Sequence, residues 1–564
     1  MKSYSVREFK GDTLLDHLLF YRGVTDSKKR EAYLNPSYEN GLNNPFLLSD
    51  MEKTVVRIDE SISKNEKIVI FSDYDADGIP GAVVLSDFFK MIGYLNVENY
   101  IPHRHTEGFG LNIEAVEGIA KNGAKLLITI DCGITDVEEV KRLNDLGVDV
   151  VITDHHLPAE VLPDAYAIVD PKISPEYPDQ MICGSGVVFK LVQAMLQKDR
   201  RGVPEGKEKW LLDMVGIATM SDMVPLKGEN RVFASFGLKV LRKSPRPGFK
   251  KLLKSLKMSQ KDLTEDDIAF MVTPRINVAS RMGNPIDAFR LLSTDDEKEA
   301  EELVEKLNGL NVERKSAVAG IVKEIQHKIK SRGLNEKKVM VLGNPSWRPA
   351  VLGLVANSLM KEHRKSVFLW GRSEDETLKG SCRSEGETDV VALMHGVTED
   401  IFIDRGGHKM SGGFSVSPEK IHLLEEALQN SYEKLYAQKS DLESPNLAEN
   451  FVDHLISIDD INFPLWNTVE KLAPFGIDNH KPVFLFKNVK PIEVKFFGKT
   501  KEHLELSFVK DDGRKVVAIC FFANEDPRFN ALSTDIPFTL VATLEKSMFR
   551  GFPELRLRIV DVLE

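Results

Sequence analysis

Acidic and histidine side chains recur at four points of the chain, each directly after an apolar run. The first three runs, IVIF, LLITI and VDVVIT, are typical of buried strands, and the fourth, LLDMVGIA, fits either a helix or a buried strand. The side chains that follow these runs are Asp73, Asp75, Asp77, Asp131, Asp154, His155, His156 and Asp222. Because open α/β sheets gather the carboxyl ends of their strands at one crevice, we expect these groups to meet there. So much negative charge requires cations, and oxygen ligands with imidazoles favour Mn²⁺ or Mg²⁺.

The elements that must position these groups are strands and helices that alternate from about residue 66 to residue 225, the pattern of a parallel sheet built from βαβ units. If the segment DYDADG leaves its strand extended, Asp73, Asp75 and Asp77 face the same side. A helix follows, with Pro80 in its first turn. Two cations held there would activate a water molecule and stabilise a leaving oxygen, which makes phosphodiester hydrolysis the natural reaction.

These segments carry a family resemblance. DYDADG, DCG, TDHH and SDMVPL resemble the four motifs of the DHH phosphoesterase superfamily, and IDRGGHKMSGGFSV resembles the glycine-rich signature of its DHHA1 domain. Further segments, IPHRHTEGFGLN, ICGSGVVFKL, TPRINVASRMG, KGSCRS and APFGIDNHKPVF, are similar in order and spacing to the RecJ family of single-strand-specific 5′→3′ exonucleases. The resemblance extends from residues 44–58 to residues 555–562.

The resemblance implies a two-metal centre that uses Mn²⁺ or Mg²⁺. The implied metal ligands are Asp73, Asp75, Asp77, Asp131, His155 and Asp222. The implied catalytic residues are Asp75, Asp77, Asp131, His155, His156 and Asp222. Adjacent histidines on an extended strand point to opposite sides, although a turn beyond the strand end would bring both into the crevice. We expect His155 to bind metal and His156 to lie near the scissile phosphate or the leaving group. Asp154 is expected to hold an imidazole from outside the metal shell.

Substrate binding is assigned to arginines, whose forked guanidinium groups match phosphate oxygens. In the family, positions that match Arg104, Arg275, Arg281 and Arg383 bind the DNA backbone and the terminal 5′-phosphate, although each arginine alone is as often an ordinary surface residue. Ser381, Ser384 and His408 are expected to add phosphate contacts. The chain departs from the family pattern at Pro80, Ser280, Arg348, Asp478 and His480.

The predicted fold is α/β: a parallel-sheet DHH domain joined by a long helix to a second α/β DHHA1 domain, plus a C-terminal β-barrel. The predicted segments are 1–65 (N-terminal, helical), 66–292 (DHH), 293–335 (connecting helix), 336–436 (DHHA1) and 450–564 (OB-fold). The stretch 437–450 is interpreted as a linker. Among the aromatic residues, Phe109, Phe414 and Phe496 are predicted to be core, whereas Phe497 lies beside a basic edge formed by Lys495, Lys499, Lys501 and His503 and is expected to stack on bases.

Composition limits the class of protein. With 42% apolar and 29% charged residues among 564, the chain has the make-up of a globular protein. No 18-residue apolar window exists, the N-terminus lacks an apolar signal segment, and four scattered cysteines favour a reducing compartment, so we expect a cytoplasmic monomer with no membrane association. The net charge of −11 means that any DNA track must be a local basic patch.

The sequence therefore predicts a metal-dependent exonuclease that digests single-stranded DNA in recombination and repair, with single-strand-binding protein and a helicase as candidate partners. One alternative is an oligonucleotide or cyclic-dinucleotide phosphodiesterase of the same superfamily, which the C-terminal barrel and the long helix disfavour. The other is a non-catalytic replication scaffold, which the filled ligand positions disfavour.

Overall fold

The computed structural model describes residues 4–332, 337–373, 376–386, 388–397, 400–436, 450–498, 500–523, 527–547 and 552–563. They pack into two compact units. The larger unit comprises Asn44–Asp222 and Gly237–Ser444, and the smaller unit comprises Met1–Asn43, Met223–Phe236 and Pro445–Glu564. The chain therefore enters the smaller unit three times.

The strands are β1 (Tyr4–Val6), β2 (Lys67–Ser72), β3 (Val97–Tyr100), β4 (Ala124–Ile130), β5 (Asp149–Thr153), β6 (Ala167–Val169), β7 (Val339–Gly343), β8 (Ser366–Arg372), β9 (Leu378–Arg383), β10 (Phe402–His408), β11 (Ser411–Val416), β12 (Asn450–Val452), β13 (His454–Leu455), β14 (Val483–Val489), β15 (Glu493–Phe497), β16 (His503–Val509), β17 (Lys515–Cys520), β18 (Phe538–Ser547) and β19 (Glu554–Leu563). The α-helices are α1 (Leu14–Phe20), α2 (Ser27–Leu34), α3 (Met51–Ser63), α4 (Gly78–Met91), α5 (Ile113–Lys121), α6 (Val137–Asp145), α7 (Gly184–Lys198), α8 (Leu212–Ser221), α9 (Gly228–Leu241), α10 (Pro247–Ser255), α11 (Glu265–Asp267), α12 (Thr273–Met282), α13 (Ile286–Ser293), α14 (Glu297–Arg332), α15 (Pro349–His363), α16 (Val390–His395), α17 (Leu424–Tyr436), α18 (Phe463–Glu470) and α19 (Pro527–Asn530). Short 3₁₀ turns cover Pro45–Leu47, Pro171–Ile173, Lys207–Leu211, Gln260–Asp262 and Ile421–Leu423, and a π-helical turn covers Ile268–Val272.

The first sheet of the larger unit has five strands in the order β3-β2-β4-β5-β6, and every pairing is parallel. Its central strands are almost wholly buried, as expected for a parallel sheet covered by helices on its faces. Because β2, β4 and β5 are neighbours, their carboxyl ends form one edge, and that edge carries the acidic motifs. The fourth motif is different: LLDMVGIA lies in helix α8, so the strand alternative for this run was wrong.

The predicted connecting helix is confirmed as α14, a single helix of 36 residues. Its buried apolar residues are Ala300, Leu303, Val304, Leu307, Ile321, Ile325 and Ile329. Within the larger unit α14 packs against α10, α12 and α13 near its start and against α15 farther along. It thereby joins the first sheet's helices to a second sheet of order β10-β11-β9-β8-β7, in which only β7 and β8 are parallel.

The smaller unit is built around a seven-stranded sheet in the order β13-β14-β18-β19-β17-β16-β15. Leu18 and Leu19 of α1 lie in the same buried core as Phe484 and Phe486 of this sheet. Strand β1 pairs in parallel with β12, and the Arg231 guanidinium donates to backbone carbonyls at Tyr33, Leu472 and Ala473. Residues 1–43 and 223–236 are thus part of the barrel's packing, whereas residues 44–65 belong to the larger unit. This grouping differs from the boundary predicted at residue 65.

One departure from the family pattern has a backbone explanation in the smaller unit. Asp478, where the family has glycine, lies in the left-handed region with φ +58°, a conformation that aspartate tolerates better than most residues. Its carboxylate is 2.9 Å from the Lys227 ammonium. The predicted linker at 437–450 lies outside the described residues except for Asn450. Within the described ranges, no helix is long and apolar enough to span a membrane.

Candidate metal centre and phosphate-binding crevice

Three of the predicted ligands come directly from the strand ends. Asp73 follows β2, Asp131 follows β4, and Asp154 and His155 follow β5. The sheet ladder carries on into these residues, because Asp73 N–H donates to the Ile130 carbonyl and Asp131 N–H donates to the Thr153 carbonyl, each at 3.0 Å. At Asp131 the backbone then turns through φ +62°, which takes its side chain out of the strand alternation. Strand pairing therefore sets the spacing of these side chains.

The DYDADG segment is not extended, so the predicted geometry of Asp73, Asp75 and Asp77 was wrong. Asp75 Oδ1 accepts from the backbone N–H groups of Asp77 and Gly78, which folds the segment into a tight turn at the start of α4. A side chain at Gly78 would place Cβ 2.4 Å from the Asp73 carbonyl oxygen, so the turn requires glycine. The turn, and not strand alternation, brings the three carboxylates to one place.

Asp77 is held from the opposite side of the crevice. Its carboxylate accepts from the N–H groups of Gly184 and Ser185 at 2.6 and 2.7 Å, at the start of helix α7. The positive end of that helix favours the ionised carboxylate. Asp222 arrives separately, as the residue that caps the C-terminus of α8.

All six predicted metal ligands converge. Two sets of three have ligand atoms within 4.8 Å of one another: Asp73 with Asp75 and Asp131, and Asp77 with His155 and Asp222. A third set, Asp131 with His155 and His156, links the first two. The structure thus brings together two adjoining groups of three side chains, each of which could hold a metal ion.

The electrostatics of this cluster fit cations. Burial, followed by the neighbouring carboxylates, raises the pKa of Asp131 and Asp222 well above the usual value and that of Asp77 to about 6. Burial also lowers the pKa of His155 to about 3, so its imidazole is neutral, as a metal ligand must be. Buried Asp73 Oδ1, Asp131 Oδ1 and His155 Nε2 form no hydrogen bond.

The contact between His155 Nε2 and Asp131 Oδ1 is the clearest sign of an ion site. The two atoms are 3.0 Å apart yet lack hydrogen-bond geometry. Buried polar atoms that stay unpaired while facing one another cost free energy, which a shared cation would recover. The donor set of carboxylates and one imidazole suits Mn²⁺ or Mg²⁺.

His156 Nδ1 lies 3.8 Å from Asp131 Oδ1, but its hydrogen-bond partner is Asp154. Asp154 Oδ1 accepts from His156 Nδ1 at 2.8 Å and from the backbone N–H groups of His155 and His156. Burial opposes the charged imidazole, but the hydrogen bond to Asp154 outweighs it and raises the pKa of His156. An imidazole that keeps its proton beside a metal cluster can donate that proton to a leaving group. Phe109, predicted to be core, is instead 51% exposed and meets the His156 ring edge-on at 5.8 Å.

Guanidinium groups border the metal cluster. Arg104 lies over the Tyr74 ring at 5.0 Å, and Arg281 Nη1 donates to the Ala350 carbonyl in the first turn of α15. Burial, followed by the like charges of Arg104, Arg314 and Arg383, lowers the pKa of Arg281 to about 9, whereas the carboxylate of Asp75 acts in the opposite sense. Arg281 therefore lies between the acidic cluster and a region of excess positive charge.

The other side of this region is formed by the second sheet. Gly353 of α15 leaves room for Arg383 and Ser381 of β9: a Cβ there would lie 3.0 Å from Arg383 Nη2 and 3.5 Å from Ser381 Oγ. The first turn of α15 has proline and no side-chain cap, and the positive end of the helix dipole adds to the potential there. The arrangement can bind an anion with two guanidinia and one hydroxyl.

Not every predicted substrate contact is placed here. Arg275 and Arg281 both lie on α12, where Arg275 is buried and bonded to Asn308 and the Met271 carbonyl. Ser384 Oγ donates to the Thr388 carbonyl, so its hydroxyl hydrogen holds the loop after β9. His408 is exposed at the end of β10, and no described contact ties it to the crevice.

One cationic residue was missed. Arg314, in the segment NVERK of α14, looks like a residue of a solvent-facing helix surface, but it lies close enough to Arg281 and Arg275 to lower the pKa of both. The available signal was its spacing, since Asn308, Asn311 and Arg314 recur every three residues along an otherwise charged and apolar helix.

Three family descriptions match parts of this chain: the DHH family N-terminal domain over residues 67–219, the DHHA1 domain over residues 336–434 and the RecJ OB domain over residues 452–561. The single-stranded-DNA-specific exonuclease RecJ of Haemophilus influenzae is 30% identical over 568 residues, which cover 98% of this chain and 96% of the relative. The enzyme of the same name from Bacillus subtilis is 32% identical over 514 residues, covering 91% of this chain and 63% of the relative, so this chain spans somewhat less than two thirds of that protein.

The fold agrees with a solved structure. RecJ from Thermus thermophilus in complex with Mn²⁺ superposes with a TM-score of 0.79 at 26% identity, over 98% of this chain and 76% of that chain. The order of the metal motifs agrees with the three domain matches and with the 30% identity to the Haemophilus protein, which extends over nearly the whole chain. It also agrees with the superposition on the Thermus structure. This chain belongs to the RecJ family.

Proposed function

We propose that this chain is a Mn²⁺- or Mg²⁺-dependent 5′→3′ exonuclease that hydrolyses phosphodiester bonds of single-stranded DNA in recombination and repair. The observation that carries the proposal is the convergence of six carboxylate and imidazole ligands beside Arg104, Arg281 and Arg383, in a chain of the RecJ family. An acidic cluster alone would bind cations, and an arginine pocket alone would bind phosphate. Their adjacency supports hydrolysis of a phosphate ester.

The ligand sets Asp73–Asp75–Asp131 and Asp77–His155–Asp222 would each hold one divalent cation. Cations at these positions would lower the pKa of the attacking water and neutralise charge on the phosphoryl oxygens. The protein's own contribution is positional. Gly184 and Ser185 orient Asp77, and the Asp154 carboxylate keeps the His156 imidazole protonated and aimed, so that it can protonate the leaving oxygen.

Polarity is assigned to the anion pocket of Arg281, Arg383 and Ser381. A terminal 5′-phosphate carries more negative charge than an internal phosphodiester, and guanidinium forks bind it more strongly. Positioned in this pocket, a 5′ end presents a nearby internal phosphodiester to the metal ligands. Digestion then proceeds from the 5′ end because only that end fills the pocket.

The barrel offers a separate surface for single strands, which we call the barrel aromatic patch: Phe497, His503, Phe521 and Phe522. The His503 ring contacts the three phenylalanine rings at 5.0–5.1 Å, and Arg558 lies over the Phe521 ring at 4.1 Å. Phe522 is 66% exposed and has a left-handed backbone, φ +58°, which its N–H bond to His503 Nδ1 helps to hold. Exposed aromatic rings beside a guanidinium suit unpaired bases. Of the basic edge predicted here, Lys499 lies outside the described residues.

The rival phosphodiesterase activity on short oligonucleotides needs the metal centre but no barrel patch. The filled ligand positions argue against a non-catalytic scaffold. Three further expectations stay predictions: a cytoplasmic location, a monomeric state, and binding to single-strand-binding protein and a helicase. Cross-linking of the native protein would test the oligomeric state and the two partners.

The decisive experiment compares end-labelled single-stranded, double-stranded and dinucleotide substrates with Mn²⁺, with Mg²⁺ and with EDTA. We expect release of mononucleotides from the 5′ end of single strands, none in EDTA, and slower digestion of 5′-hydroxyl ends. Faster cleavage of dinucleotides than of long strands would favour the rival phosphodiesterase. Equal rates on 5′-phosphate and 5′-hydroxyl ends would exclude the anion pocket as the source of polarity.

A further inference from the structure

A polar stripe on α14 has no role in the site described so far. Asn308, Asn311 and Arg314 lie at three-residue steps and therefore on one side of the helix. Asn308 shows where this side points: its Oδ1 accepts from Arg275 Nε at 2.9 Å, on α12, and its Nδ2 donates to Ser255 Oγ at 3.0 Å. The stripe thus runs along the packed seam between α14 and the helices that border the crevice.

Beyond Asn308, the side chains of the stripe carry buried polar atoms that form no hydrogen bond. Asn311 is only 2% exposed, and its Oδ1 has no hydrogen bond. The buried Nε of Arg314 also has none, and neither does Asn277 Oδ1 on α12. A buried polar atom that stays unpaired is unfavourable. Of these atoms, Arg314 Nε is a donor that a phosphate oxygen can pair, whereas the two amide oxygens are acceptors and require a donor instead.

The charge of this place identifies the ligand. The cations of Arg275, Arg314 and Lys315 act on one another, and no carboxylate among the described residues raises the pKa of any of them. Glu313, the nearest acidic residue in sequence, is bound to Arg348 at 2.8 Å. Arg275 is buried and Arg314 is half-buried, so an anion beside them would offset the cost of desolvating their charges. Arg314 also acts on Arg281, which connects this place to the crevice.

We propose that Arg314 binds a backbone phosphate of the single strand through its guanidinium group, and that the positive charges of Arg275 and Lys315 attract the strand along the α12–α14 seam. This inference rests on the proposed function and adds the path of the strand to it. The phosphate chain leaves the reaction site on the α14 side, so the connecting helix is part of the substrate-binding surface.

The test measures binding without hydrolysis. Wild type and Arg314→Gln are titrated with a 5′-phosphorylated oligonucleotide in EDTA over a range of salt concentrations. Each phosphate contact to a single strand contributes about −0.7 to the slope of log K against log salt, so the variant's slope should be shallower by about that amount. Its affinity should fall by about tenfold, and with Mn²⁺ its KM should rise while kcat stays unchanged.

Two further variants separate binding from folding. Lys323→Gln removes one exposed positive charge nine residues farther along α14, half a turn around the helix, and should leave slope and affinity as in wild type. Arg314→Lys keeps the charge without the fork, so it should restore the slope but only part of the affinity. A wild-type slope in Arg314→Gln, or the same loss in Lys323→Gln, would overturn the inference. A wild-type protein that does not hydrolyse DNA would instead refute the proposed function, and the salt slopes would still decide the role of Arg314.

Discussion

Replacing Asp131 by asparagine tests the metal centre most directly. Asp131 contributes to two of the three ligand sets and is only 3% exposed. Asparagine has the same shape and tolerates the left-handed backbone at φ +62°, which alanine would not. The substitution therefore removes one negative charge and leaves the turn and the packing intact.

The expected effect on the metal-free protein is stabilisation. Burial and four neighbouring carboxylates, those of Asp77, Asp75, Asp222 and Asp73, raise the pKa of Asp131. In the same cluster the pKa of Asp77 rises from 3.8 to about 6, which corresponds to roughly 3 kcal/mol at 1.36 kcal/mol per pH unit. We expect Asp131→Asn to raise the free energy of unfolding in EDTA by about 1–3 kcal/mol at pH 8.

The sign follows from proton binding. A carboxyl whose pKa is higher in the folded state stays protonated there after the unfolded chain has ionised, so the stability of the wild type falls as pH rises above about 4. The variant lacks this loss at position 131. Its advantage should therefore be absent near pH 4 and grow toward pH 8.

Adding Mn²⁺ should reverse the order. A ligand at 100 times its Kd stabilises the folded state by about 2.7 kcal/mol, and the wild type should gain this while Asp131→Asn gains much less. Hydrolysis by the variant should fall by at least about a thousandfold, or roughly 4 kcal/mol in the activation barrier. Urea unfolding with EDTA and with Mn²⁺, at pH 4 and pH 8, measures the free energy of unfolding of both proteins under each condition.

Asp136→Asn is the matched control. Burial raises the pKa of Asp136 to about 6 as well, but its carboxylate accepts from Leu111 N–H and belongs to none of the ligand sets. This variant should also gain stability at pH 8, by about 1–2 kcal/mol because the side chain is partly exposed, and should keep the Mn²⁺ response and the activity. Undiminished hydrolysis in Asp131→Asn, or equal Mn²⁺ stabilisation of it and the wild type, would refute the assignment of Asp131.

Three other substitutions address the anion pocket, the barrel patch and the barrel core. Arg383→Ala should reduce the preference for 5′-phosphate over 5′-hydroxyl ends about tenfold, measured as the ratio of kcat/KM values, and an unchanged ratio would contradict the pocket. Phe522→Ala should weaken binding of long oligonucleotides by about 1–3 kcal/mol and spare very short ones, whereas Ile536→Ala, which trims an equally exposed apolar residue of the same unit, should affect neither. Leu19→Ala should destabilise the smaller unit by about 2–5 kcal/mol, seen as faster proteolysis of the barrel, because Leu19 lies in its core; an unchanged digestion rate would show that residues 1–43 do not brace the barrel.

The packing of residues 1–43 also changes how the barrel must be tested. Ending the chain at Glu449 removes β12 to β19 and would expose Leu18 and Leu19 as well as the residues around Arg231. A loss of DNA binding in that truncated protein would have two causes that the assay does not separate: the missing DNA-binding surface of the barrel, and disruption of the remaining part of the smaller unit. Single substitutions in the barrel aromatic patch avoid this problem.

Much of the fold follows from local patterns in the sequence. Apolar runs that end in aspartate or histidine predict β2, β4 and β5 and the edge on which Asp73, Asp131 and His155 meet, since neighbouring parallel strands end together. The three- and four-residue spacing of apolar side chains predicts α14. These features depend on periodicity over a few residues, which a single chain displays directly.

Tertiary structure decided the remainder. The turn within DYDADG depends on backbone hydrogen bonds to Asp75, and the anchoring of Asp77 depends on α7, about a hundred residues away. Burial turns Arg314 from an apparent surface residue into a candidate phosphate ligand, while Ser384 proves to be bonded within its own loop. The N-terminal residues join the barrel because their apolar side chains fill its core. A side chain's partners and its desolvation are set by elements distant in sequence, so only the folded chain reveals them.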